Sequence, residues 1–360
     1  MKSIKVIEVY LGDVSVGRLA QTEEGICAFE YDAAYLSRGV SISPFELPLR
    51  TGVIMAKAKP FEGNFGVFDD CLPDGWGMLL FDRYLKKQGL KPASLSIPDR
   101  LSLVGSSGRG ALEFRPDQSL MSKEDYIDYH HLANESAKIL SSDEYHGDSL
   151  DTLYKHGGSP GGARPKISVK YAGKEWLVKF RAINDPPNIG KTEYNYSILA
   201  KKAGIVMPET RLFEGQYFGA ERFDRTATGK QHVVSVAGLL NADYRTPCLD
   251  YINIFQLCHA LTRNMQEMWK LYRLMVFNYL IENKDDHAKN FAFIMREGEW
   301  YLAPAYDILA SDGINGFHTT TINDSITPTK EDLFAVAEKA GLERKKAIAV
   351  FDETLELMKT

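Results

Sequence analysis

Residues 283–294 read Asn-Lys-Asp-Asp-His-Ala-Lys-Asn-Phe-Ala-Phe-Ile, a dense polar run set between the apolar blocks LMVFNYLI (274–281) and FAFI (291–294). Such a run is either a solvated turn from a helix into a strand or a site whose polar groups have work to do. Its spacing argues for a site. Asp285 precedes Asn290 by five residues, and Asp307, in PAYDIL (304–309), follows Asn290 by seventeen, beyond one strand-turn-strand excursion.

Working outward, Met265, Met268, Trp269, Tyr272, Met275, Val276, Tyr279 and Leu280 recur at i, i+3, i+4, i+7 and predict a core helix leading into the run. Two further amphipathic helices are expected between Lys330 and Lys359. Upstream, the loop HGGSPGGARPK (156–166) precedes ISVKY, an AGKE turn and WLVKF, which predict a strand pair. KTEYNYSILAKKAGI (191–205) predicts a helix with Thr192 as N-cap and Gly204 as its left-handed stop. RLFEGQYFGAERF (211–223) is strand-like. The N-terminal IKVIEVY, VSVGRLA and ICAFEY alternate as an antiparallel meander, and helical spacing follows between Asn64 and Leu90, broken at Pro73-Asp74-Gly75. The expected division is residues 1–115, 116–225 and 226–360, in an α+β chain.

Composition narrows the function. The 360 residues carry 43 Lys+Arg against 48 Asp+Glu, a net charge of −5, which argues against coating nucleic acid by bulk charge. The four cysteines (27, 71, 248, 258) form no CxxC pair, so a zinc ribbon or dithiol motif is excluded and a reducing compartment, the cytoplasm, is expected. No apolar run reaches the ~18–20 residues needed to span a bilayer, and Gly12, Asp13 and Arg18 interrupt any signal-peptide core, so no membrane partner is expected. His130, His131, His146 and His156 share no metal-ligand pattern and are expected on the surface or in loops.

The Asp285-to-Asn290 interval is the one used in kinase catalytic loops, where Asp accepts the substrate hydroxyl proton and Asn holds a metal ion; Asp307 stands where a second metal-binding carboxylate is expected. Transfer from a triphosphate demands divalent metal and cationic donors, and oxygen ligands suit Mg²⁺. Lys179, in the alternating strand WLVKF, is the candidate phosphate lysine, and Glu193 is its candidate partner. The loop with Gly157, Gly158, Gly161 and Gly162 can approach phosphates closely, although it lacks the Walker A spacing. Arg164 and Lys166 either hold phosphate or are solvated strand-edge charges.

These segments resemble a known family, the HipA-like serine/threonine kinases, toxins of bacterial type II toxin–antitoxin pairs. The resemblance rests on GGSPGGARPK (157–166), WLVKF, TEYNY (192–196), AERFDR (220–225), NKDDHAKNF (283–291) and PAYDIL in the family's order, with FEYDAAYL, SISPFELPLR, FDDCLPDGWG and LVGSSGRGALEF resembling its N-terminal subdomain. It implies a two-lobed protein-kinase-like fold with a β-rich N-terminal HipA subdomain and a mostly helical C-terminal lobe. It also implies ATP and Mg²⁺ as cofactors, Asp285 as catalytic base, Asn290 and Asp307 as metal ligands, and Lys179 as the ATP-phosphate lysine. Ser159 would be the autophosphorylated serine that silences the enzyme. Gly161, Gly162 and Ala163 would line the nucleotide, Glu221 and Phe223 would meet adenine, and His287 and Lys289 would orient the loop and balance phosphate charge. The implied partners are a HipB-like helix-turn-helix antitoxin, DNA only through that antitoxin, and an aminoacyl-tRNA synthetase as substrate. The D-x-H-x-x-N order is shared with phosphoinositide kinases, so a small-molecule or lipid phosphotransferase is one alternative. An inactive antitoxin-binding scaffold is the other.

Overall fold

A computed structural model describes residues 3–120, 127–142, 149–157, 161–313 and 315–359. The chain is α+β and divides into two compact units, Met1–Tyr194 with Glu209–His232, and Asn195–Pro208 with Val233–Thr360.

The first unit opens with β1 (Val6–Leu11), β2 (Val14–Gln21), β3 (Cys27–Tyr31), β4 (Ile54–Met55) and β5 (Leu112–Arg115), an antiparallel sheet in the order β4-β3-β2-β1-β5. Alternation dictates its inner face: Ile7, Val9, Cys27 and Phe29 are buried while Val6 and Glu8 face out. Gly17 is required at its position, since a Cβ there would lie 2.2 Å from the Glu30 carbonyl oxygen. Phe29, Phe65, Phe68 and Phe114 close the core as an aromatic chain with centroids 5.4–6.2 Å apart. Helix Ile97–Val104 is started by a Ser96/Asp99 capping box with Pro98 in its first turn.

A second sheet in the same unit contains β6 (Lys166–Tyr171), β7 (Lys174–Lys179), β8 (Thr210–Phe213) and β9 (Tyr217–Glu221) in the order β6-β7-β9-β8, all antiparallel. Ile167, Trp176, Val178 and Phe180 pack against Trp76, Leu80 and Phe81 of helix Gly75–Lys87 and Leu150, Leu153 and Tyr154 of helix Leu150–Gly157. Each such side chain contributes about 1.5–3 kcal/mol when fully buried. This packing corrects one histidine. His156 is buried, not on the surface, because it lies in helix Leu150–Gly157 with Nδ1 3.1 Å from the Ser168 carbonyl, a bond that offsets its burial. His146 lies outside the described residues, while His130 packs on Tyr217 and His131 Nε2 meets Ser149 Oγ at 2.7 Å. The expected 191–205 helix runs from Ile189 to Lys202, four residues earlier than a Thr192 N-cap allows. Thr192 Oγ1 instead donates back to the Asn188 carbonyl at 3.2 Å, and Gly204 does adopt φ +78°.

In the second unit an Asp250/Asn253 capping box starts helix Tyr251–Thr262, and Asn264 Oδ1 caps helix Met265–Leu280 through the Gln266 N–H at 2.8 Å. The expected stripe is buried at Met268, Tyr272, Met275 and Val276, and so are Leu271 and Phe277. Burial extends beyond the stripe because this helix packs on helix Tyr251–Thr262, on helix Arg344–Lys359 and on strand Glu299–Leu302. Met265, at the helix start, is exposed. Strands His232–Ser235, Ala292–Arg296 and Glu299–Leu302 form a three-stranded sheet, and Lys330–Lys339 and Arg344–Lys359 are the closing helices. Among the described residues no helix is long and apolar enough to cross a membrane.

Candidate active site

Helix Met265–Leu280 ends at Ile281, and Glu282 turns the chain with φ +55° into the polar run. Two adjacent carboxylates then part company. The Asp285 side chain is 57% exposed, with His287 Nε2 4.0 Å from its Oδ1. Asp286 is fully buried. Its Oδ1 accepts from the Thr319 and Thr320 N–H groups at 3.0 and 3.1 Å, and its Oδ2 from Tyr251 Oη at 3.1 Å and His318 Nδ1 at 2.9 Å. Thr320 Oγ1 also donates to its carbonyl. Burial first, and then the Asp286 charge, push the Tyr251 phenol far above its ordinary range, so it stays a donor. Sequence reading gave Asp286 no role. Its partners lie 32–35 residues away in both directions, beyond the reach of any local spacing.

Asn290 ends a short 3₁₀ turn, and its Nδ2 donates 2.7 Å to the Asp285 carbonyl, which orients Oδ1 as the remaining donor atom. His287 Nδ1 accepts the Lys289 N–H at 3.2 Å, so the neutral ring carries its proton on Nε2, the atom nearest Asp285. Lys289 Nζ sits 4.0 Å over the Tyr244 ring. Asp307 holds φ +57°, and the neighbouring Tyr306 Oη donates 2.6 Å to the Lys289 carbonyl, so PAYDIL is tied directly to the polar loop. Ser311 pairs back to Glu282 and Lys284 through backbone bonds of 3.1 and 3.2 Å. One amide oxygen and one carboxylate fit Mg²⁺, which binds through few protein ligands and completes its octahedron with phosphate oxygens and water. Among the described residues no cluster of three His, Cys, Asp or Glu suited to a metal exists, so a dedicated all-protein cage is absent there.

In the first unit, Lys179 at the end of β7 forms an ion pair with Glu193 of helix Ile189–Lys202; the side chains are 11% and 4% exposed. Phe218 lies under the ammonium, its ring centroid 5.5 Å from Nζ. Arg164 makes a bidentate pair with Asp185, Nε to Oδ2 at 3.0 Å and Nη2 to Oδ1 at 3.1 Å, and Lys166 is buried with Nζ donating to the Gly161 carbonyl. Gly162 N–H donates to the Asp74 carboxylate, and Gly161 and Ala163 are exposed beside it. Ser159 lies outside the described residues. Glu221 ends β9 with its N–H donated to the Glu209 carbonyl at 2.8 Å and its carboxylate on Lys174 at 2.7 Å. On either side of Phe223, Arg222 and Asp224 with Arg225 build a buried cluster that also binds the Gly108 and Gly110 carbonyls. Burial acts to raise the Asp224 pKa, but the Arg222 and Arg225 guanidiniums prevail and hold it well below the usual carboxylate range.

The HipA N-terminal domain profile matches residues 7–115 and the HipA-like C-terminal domain profile matches residues 158–360. Similar proteins include the putative kinase Y4dM of Sinorhizobium fredii (strain NBRC 101917 / NGR234), 25% identical over 99% of this chain and 91% of the relative. The putative kinase Y4mE of the same organism is 26% identical over 86% of this chain and 78% of its own length. A chain of the Shewanella oneidensis MR-1 toxin–antitoxin complex of HipA, HipB and operator DNA superposes with a TM-score of 0.72 at 20% identity, covering 98% of this chain and 88% of that one. With the C-terminal profile alone spanning more than half its length, the chain belongs to the HipA-like family.

Proposed function

We propose that this chain is an ATP-dependent serine/threonine protein kinase that transfers the γ-phosphate to a protein hydroxyl and to its own Ser159. The observation that carries the reading is the contrast at 285 and 286: an exposed carboxylate held out by a neighbour fixed with four side-chain hydrogen bonds, next to an asparagine tied to the same backbone. In this reading Asp285 accepts the hydroxyl proton as the oxygen attacks the γ-phosphorus and ADP leaves. His287 orients the loop by accepting the Lys289 N–H on Nδ1. Lys179, aligned by Glu193, meets the phosphates, with Gly161, Gly162 and Ala163 beside them and Glu221 and Phe223 toward the base. Lys289 balances phosphate charge. Asn290 and Asp307 would hold Mg²⁺, which supplies charge neutralisation to the transferring phosphoryl group. Catalysis is then mostly positioning and electrostatics.

The Shewanella complex supports a HipB-like antitoxin as partner; DNA contact only through that antitoxin, an aminoacyl-tRNA synthetase as substrate and the cytoplasm as location are further parts of the proposal. The test is phosphoproteomics of a bacterial lysate incubated with the protein, ATP and Mg²⁺. New phosphoserine or phosphothreonine in a defined protein is expected. A phosphorylated small molecule or lipid with no phosphoprotein would overturn the protein-kinase reading.

A further inference from the structure

The Pro73-Asp74-Gly75 turn breaks the helical spacing between Asn64 and Leu90, and it also holds the end of the glycine-rich loop 88 residues later. Four features converge on Gly161 and Gly162. The Asp74 carboxylate accepts the Gly162 N–H. The Trp76 N–H donates to the Gly162 carbonyl at 3.0 Å. Lys166 Nζ donates to the Gly161 carbonyl. Gly75, at φ +45°, lets the two segments touch, since a Cβ there would lie 2.7 Å from the Gly162 oxygen and 2.8 Å from Ala163 Cα. Gly161 is constrained in return, as its own Cβ would lie 3.0 Å from Asp74 Oδ1.

We propose that Asp74 is a positioning residue for nucleotide binding, which fixes the Gly161-Gly162 backbone from the N-terminal subdomain so that little ordering entropy is lost when the phosphates arrive. The pattern is that of an anchor. Asp74 takes the Gly162 N–H while Trp76 N–H and Lys166 Nζ hold the Gly162 and Gly161 carbonyls, so both peptide groups of the loop end are held, donor and acceptors alike. The consequence is that residues 7–115 take part in nucleotide affinity through this turn. The nucleotide part of the inference rests on the kinase reading; the anchoring part does not.

The experiment uses the full chain labelled with ¹⁵N-glycine. Asp74→Ala is expected to speed amide exchange at Gly162 about tenfold without nucleotide, the loss of one charge-assisted hydrogen bond. It is also expected to raise the KM for ATP by about five- to tenfold with kcat within about twofold. Asp74→Asn, which retains an acceptor oxygen, restores most of both, and thermal unfolding of each variant checks that the fold survives. Unchanged Gly162 exchange in Asp74→Ala would overturn the anchor. Tighter ATP binding would overturn it as well, because the carboxylate would then be a competitor of phosphate. Wild type that binds no ATP would sink the kinase reading and the nucleotide part together, while the exchange result still decides whether Asp74 holds the loop.

Discussion

Replacing Asp286 by alanine removes the acceptor for four donors at once: the Thr319 and Thr320 amides, the Tyr251 hydroxyl and His318 Nδ1. All four sit in a site where Asp286 and Tyr251 are fully buried and His318 is nearly so. Each buried donor left without an acceptor costs about 1–3 kcal/mol, but local relaxation and water entry make the sum less than additive, so ~3–5 kcal/mol of lost stability is expected, the range for breaking a buried ionic contact. Asparagine is the informative comparison. It keeps Oδ1 for the two backbone amides and sets an NH₂ against Tyr251 and His318, so Asp286→Asn should cost about half as much, ~2 kcal/mol. Urea unfolding followed by tryptophan fluorescence measures both. Because the next residue is Asp285, phosphate transfer should fall in both variants under conditions where they remain folded. Asp286→Ala within about 1 kcal/mol of wild type would refute the claim that this carboxylate frames the loop.

Three further changes test other parts. Lys179→Met removes the ammonium from the buried Glu193 carboxylate and should cost about 3–5 kcal/mol, whereas Lys179→Met/Glu193→Gln should regain most of that stability but no phosphate transfer, as read by unfolding and kinase assays. Burial, opposed by the Gly66 N–H and Lys57 and aided by Asp70, raises the Glu46 pKa to about 7 from 4.5. Above the unfolded value the unfolded chain ionises first, so this group lowers stability progressively as pH rises from 4.5 to about 7. Glu46→Gln should therefore stabilise by up to about 3 kcal/mol at pH 8 and change little at pH 4.5, which melting curves at the two pH values would show; an equal effect at both would refute it. Gly17→Ala drives a methyl into the Glu30 carbonyl and should cost about 2–3 kcal/mol; a neutral effect on the melting temperature would contradict the strand packing described.

What could be read in advance was what periodicity and short spacings encode. The stripe from Met265 to Leu280 and the alternation in VIEVYL and CAFEY each report one element's own buried face, so the helix and the strands followed directly. Asp285, Asn290 and Asp307 stood out because their spacing is local, and Lys179 with Glu193 because a strand and the next helix carry them. Long-range polar contacts left no such trace. Asp286 looks like one more charge in a polar run until His318 and Tyr251 fold onto it, and Asp74 looks like a turn residue until Gly162 meets it. His156 was misplaced for a related reason: a histidine beside a glycine-rich loop reads as exposed, and only the Ser168 carbonyl across the packing makes it a core residue. Thr192 has the chemistry of an N-cap, but the helix gains one more turn by starting at Ile189, and the hydroxyl turns back to Asn188.

The central claim is that the exposed Asp285 is the base of a phosphoryl transfer, and intact-mass measurement with peptide mapping tests it most directly. Wild type and Asp285→Ala are each incubated with ATP and Mg²⁺ after unfolding curves show equal stability, as expected for a side chain that is 57% exposed. Wild type should gain phosphate mapping to Ser159, and Asp285→Ala should gain none. Equal phosphorylation of the two proteins, or none in wild type together with no ATP binding, would contradict the account.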